Sequence, residues 1–134
     1  MMDKKIFRFY LPAILWSAFI FFLCFIPGST LPHEDWLNKI YFDKIVHVFL
    51  YLIFFLLIMN ARKEGGVTIV HFISAGFICL AQGILIEYIQ ESSLIRGRSF
   101  DVRDIVANAV GVVAGIITAY AKHKTNKLYF LHYF

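Results

Sequence analysis

Charge is scarce in this chain: Asp, Glu, Lys and Arg make up 16% of 134 residues, while 60% are hydrophobic and the mean hydropathy is +0.70. A water-soluble domain of this length needs far more polar surface than that. A protein that faces lipid does not, because its outside can be as apolar as its inside. Cysteine is also rare. Cys24 and Cys79 both stand inside apolar runs, which reads as packing rather than as a disulfide or a metal pair. Dense basic patches and a reading helix are missing, so the net charge of +4 does not point to nucleic acid. Internal repeats and low-complexity stretches are absent.

What is present is a set of long uncharged runs. Val67 to Ile86 gives twenty residues without Asp, Glu, Lys or Arg, Phe9 to Ile26 gives eighteen, and Ile45 to Ala61 and Ile105 to Ala121 give seventeen each. Roughly 20 apolar residues cross a hydrocarbon core of about 30 Å, with ~17 as the lower limit. The expected fold is therefore all-α: one membrane domain over 1–134, a bundle of four transmembrane helices at about 9–27, 43–61, 67–91 and 101–122. Pro12 falls in the first turn of the first helix, where a missing N–H costs little, and Pro27-Gly28 stops that helix. Cys24, Phe25 and Ile26 ahead of Pro27 offer no small-residue cleavage site, so the first run is expected to stay as a helix rather than leave as a signal peptide. Trp36, Tyr41 and Phe42 in the longest loop fit an aromatic interface belt, and Arg62 to Gly66 reads as a tight basic turn.

With both termini on one side, that side holds Lys4, Lys5, Arg8, Arg62, Lys63, Lys122, Lys124 and Lys127, eight of the thirteen basic residues. The positive-inside rule then places both termini in the cytoplasm of a bacterial inner membrane protein. Lys122, Lys124 and Lys127 suit anionic headgroups. Seven of the nine acids fall on the other side.

This threading gathers scattered residues at one membrane level: Asp43 and His47 from the second helix, Glu87 and Gln90 from the third, Asp101, Asp104 and Asn108 from the fourth. At 100° per residue, Asp101, Asp104, Asn108, Gly111 and Gly115 share one stripe, and Gly76, Gly83, Glu87 and Gln90 share another. Asp43, His47 and Tyr51 follow one face at i, i+4 spacing. The expected packing turns these stripes inward, with the glycines bringing helices three and four together and Arg98 and Arg103 beside the acids. Asp101 is also a good N-cap, and His47 reads as a partner of Asp43. An acid inside a membrane span is a functional hypothesis by default, which singles out Glu87 and Asp104.

No HExxH, paired histidines or CxxC is present, nor a Ser-His-Asp order or a nucleophile elbow. Glu87 and Glu91 do not make the Glu-Glu pair of membrane-embedded CAAX-type proteases. No cofactor is expected; a divalent ion on Asp43, His47, Glu87 and Asp104 is the less favoured reading.

The segments FDKIVHVFLYLIFFLL (Phe42 to Leu57), ILIEYIQ (Ile84 to Gln90) and GRSFDVRDIVANAVGVVAG (Gly97 to Gly115) together resemble the VanZ-like family. The matching positions are Asp43, Lys44, His47, Tyr51, Glu87, Gln90, Arg98, Asp101, Asp104, Asn108, Gly111 and Gly115. Val48 replaces a common aromatic after the histidine. The resemblance implies a bacterial membrane protein related to one that confers low-level resistance to the glycopeptide teicoplanin. It supplies no catalytic residues.

The leading functional expectation is a non-enzymatic envelope protein with an outward-opening polar pocket. Its partner would be a lipid headgroup, a lipid-linked wall precursor or another membrane protein, including a second copy. Arg98 would meet a phosphate, positioned by the acids and Asn108. An enzyme acting on a lipid phosphate or isoprenoid carrier ranks second, with Glu87 or Asp104 as base and His47 as shuttle. A small transporter or channel subunit ranks third, because the first helix carries no acid between Phe9 and Ile26.

Overall fold

Each uncharged run becomes one helix. The computed structural model describes residues 4–30, 41–62 and 66–132, and its helices are α1 (Lys4–Cys24), α2 (Phe42–Ala61), α3 (Ile69–Glu91) and α4 (Val102–His132). All four are long and apolar enough to cross a membrane, over Phe7–Cys24, Phe42–Ala61, Ile69–Glu91 and Val102–Thr125. No strand occurs among the described residues. The loop around Trp36 and the middle of the turn after Arg62 lie outside the described residues.

The boundaries shift from expectation for local reasons. α1 begins at Lys4 and not near residue 9, so Pro12 lies inside the helix and not in its first turn; it ends at Cys24 and gives way to a 3-10 turn over Gly28–Thr30, as the approach to Pro27 disfavours helix. α3 begins two residues later than the hydropathy suggests, because Thr68 forms a capping box with His71: the Thr68 N–H donates to His71 Nδ1 at 3.0 Å. α4 runs well past Lys122, since no Gly or Pro interrupts the polar residues that follow.

α2 and α4 run parallel and form the most extensive pair. Glycine makes this possible. A Cβ on Gly111 would meet the Val48 carbonyl and the Leu52 and Tyr51 main and side chains, and one on Gly115 would press into the Phe55 ring. The GxxxG pair therefore docks α4 on α2, not on α3 as the stripe analysis expected. The glycines of α3 do face α4: Gly76 lies against Val112 and Gly83 against Asn108. In lipid such close approach matters because van der Waals packing, not water exclusion, holds helices together.

α1 is tied on by polar contacts at several depths. Trp16 Nε1 donates to the Leu50 carbonyl at 2.9 Å, and Ser17 Oγ donates to Gln82 Oε1 at 2.7 Å. At its C-terminus, Gln90 Nε2 donates to the Cys24 carbonyl at 2.8 Å and Arg98 Nε to the Ile26 carbonyl at 3.2 Å. These donors satisfy carbonyls that a helix end leaves without partners. The α3–α4 loop closes over the same place: the Gly28 N–H donates to the Arg96 carbonyl at 3.1 Å, a Cβ on Gly28 would run into the Gly97 carbonyl, and Gly97 itself takes φ +73°, which favours glycine.

Candidate functional site

The first turns of α2 and α4 lie side by side. Two parallel helices thus present their positive dipole ends together, and Asp43, Asp101 and Asp104 stand there as complementary charges. Lys44 is the hub. Its ammonium contacts Asp43 Oδ2 at 2.8 Å and Asp101 Oδ2 at 2.7 Å, and it donates a short hydrogen bond to Asp104 Oδ1. A lysine in the first turn of a helix opposes the dipole, so three carboxylates around it explain its presence.

Asp101 has a second task. Its Oδ1 accepts the Arg103 N–H at 2.8 Å and its carbonyl accepts the Asp104 N–H at 3.0 Å, so it caps α4 as expected. The Lys44 hydrogen bond holds the Asp101 carboxyl below the usual aspartate range, with the Arg103 N–H contributing. Glu87 supports the same residue from α3: its Oε2 accepts the Asp101 N–H at 2.8 Å. Glu87 is 1% exposed, so this carboxyl is a structural clamp between α3 and the start of α4.

One layer deeper, His47 Nδ1 and Asn108 Oδ1 are 2.9 Å apart, and His47 Nε2 lies 3.7 Å from Asp104 Oδ2. His47 thus pairs with α4 and not with its own helix neighbour Asp43. Asn108 is 2% exposed and Tyr51 is 0% exposed. Both surround Gly83, where a Cβ would sit 2.7 Å from Asn108 Nδ2 and 3.3 Å from the Tyr51 hydroxyl. That hydroxyl has no hydrogen-bond partner among the described residues.

The structure therefore brings together Asp43, His47, Tyr51, Glu87, Asp101, Asp104 and Asn108. Gln90 and Arg98 sit beside them but engage the end of α1. The expected neutralisation of the acids by Arg98 and Arg103 is not what is seen: the ion pairs described at this end converge on Lys44 and His47. Sequence reasoning overlooked Lys44 as a site residue, although an Asp-Lys pair opening an apolar helix signals it. It also overlooked the Ser17–Gln82 and Trp16 ties. No group of three His, Cys, Asp and Glu side chains converges as metal ligands among the described residues. Two open grooves lie at the other end of the bundle, away from this cluster.

Fold and cluster define a polytopic four-helix membrane protein with a lysine-centred carboxylate lock at one membrane face. A family model described as VanZ/LLP1 matches residues 7–123, and the chain belongs to that family. No curated protein and no solved structure matches it.

Proposed function

We propose that this protein is a non-enzymatic envelope component that binds a phosphate-bearing lipid headgroup, or a lipid-linked wall precursor, at the face carrying the Lys44 cluster. The observation that carries the reading is the division of labour between cations. Lys44 engages Asp43, Asp101 and Asp104, and the ion pairs described at this end run to Lys44 and His47 and to none of the guanidiniums. Arg96 and Arg103 are exposed. Arg98 is half-buried and anchored through Nε to the Ile26 carbonyl, and its two terminal nitrogens meet no hydrogen-bond partner among the described residues. A guanidinium anchored through Nε, with terminal nitrogens unpaired among the described residues, suits a phosphate monoester or diester.

The bias of Lys and Arg toward the other end supports an orientation with both termini in the cytoplasm and the cluster facing out. In that orientation the protein meets wall intermediates, and holding them changes glycopeptide access. The test compares Arg98→Ala and Arg98→Lys variants, inserted at wild-type levels, in a teicoplanin susceptibility assay and in native mass spectrometry with an isoprenoid lipid phosphate. Loss of both signals in Arg98→Ala, with partial recovery in Arg98→Lys, is the expected result. Full activity of Arg98→Ala overturns the reading.

A further inference from the structure

The end of the bundle away from the Lys44 cluster carries two grooves that no part of the reading above uses. One, about 620 Å³, runs between α3 and α4 past Phe72, Gly76, Ala109 and Val113. The other, about 520 Å³, runs between α2 and α4 past Ile53, Leu57 and Ala119. Both reach Val67 and His123, so two apolar channels on either side of one helix open at a common mouth. Their walls are apolar along almost their whole length. Small residues create the first: at Gly76 and Ala109 the helices leave space that larger side chains would fill.

The mouth differs from the walls. Lys122 and His123 stand at it, with Lys124 exposed beside them. Across this end the described side chains supply Arg8, Arg62, Lys122 and Lys124 and no acid. Two apolar channels diverging from one cationic point match a ligand with one anionic head and two hydrocarbon tails.

The geometry points to a structural phospholipid site: the two grooves seat the two acyl chains of one anionic phospholipid, and Lys122 and His123 hold its phosphate. A zwitterionic lipid fits the walls equally well but gains less at the mouth, because each lysine near an anionic surface favours it by about a fivefold factor. The site is independent of the headgroup reading at the other face and stands or falls separately.

Native mass spectrometry of the purified protein tests it, with phosphatidylglycerol and phosphatidylcholine of identical acyl chains as probes. Wild-type protein should retain one phosphatidylglycerol roughly tenfold more than phosphatidylcholine, and the Lys122→Gln/His123→Gln variant should abolish that preference. Ala109→Leu should lower retention of both lipids by filling the first groove, while circular dichroism shows unchanged helix. Val113→Phe serves the same purpose if Ala109→Leu is not inserted. Equal retention of the two lipids by wild-type protein overturns the proposal. So does a lipid-free dimer whose cross-links run through Val113 and Ile117, which would assign the grooves to a second copy.

Discussion

Lys44 decides how the acidic end behaves. Its ammonium is mostly buried, with a side-chain exposure of 18%, and it faces Asp104 at 12%. Removing the cation leaves three carboxylates crowded at two helix starts without a counter-charge. Breaking a buried pair costs about 3–5 kcal/mol, and the exposure of Asp43 and Asp101 lowers this, so Lys44→Met should cost about 2–3 kcal/mol. The double variant Lys44→Met/Asp104→Asn should recover part of that loss, because one of the orphaned charges goes too. Thermal unfolding in detergent checks both. The pH dependence has a definite sign. Asp101 is held below its ordinary value of 3.8 by Lys44, so its contribution is fully present above that value and is lost as the pH falls through the lower, folded one. Wild-type protein should therefore lose stability on acidification below about pH 4, and Lys44→Met should lose much less over the same window.

At the level of elements, glycine positions rank the helix contacts. Gly111 lets α4 touch the backbone of α2, where nothing yields, so Gly111→Ala should cost about 1–3 kcal/mol. Gly76 faces only the Val112 methyl, which a Cβ would meet at an ordinary 3.7 Å, so Gly76→Ala should be neutral or stabilising by up to about 1 kcal/mol. Comparative melting of the two variants measures the difference; equal losses would mean that α3 and α2 approach α4 equally closely. Four helices and a GxxxG stripe were legible because lipid imposes a minimum span and close packing demands small residues. The partner of that stripe was not, because helical angle gives a face and not a neighbour. The same limit applies to the site. Asp43, His47, Asp101, Asp104 and Asn108 were legible as one level, since antiparallel threading fixes depth. The contacts of Gln90 and Arg98 were not: they donate to the Cys24 and Ile26 carbonyls at and just beyond the end of α1, and a backbone acceptor leaves no trace in sequence.

For the whole molecule, the open variable is which way it sits. Among the described residues, Asp43, Glu87, Glu91, Asp101 and Asp104 gather at one end and Arg8, Arg62, Lys122 and Lys124 at the other, so the molecule is electrically polar along the membrane normal. Only the basic count governs insertion, and the proposed orientation, with the termini inside, rests on it. The two native cysteines, Cys24 and Cys79, are buried, so they form a quiet background for accessibility labelling. A cysteine introduced at Leu94, which is 80% exposed in the α3–α4 loop, should react with an impermeant maleimide in intact cells. One introduced at Lys124 should react only after permeabilisation. The opposite pattern would turn the Lys44 cluster toward the cytoplasm. The lock and the helix packing would stand unchanged, but a ligand drawn from the outer leaflet would be out of reach, and the arginine fork would have to serve a cytoplasmic phosphate instead.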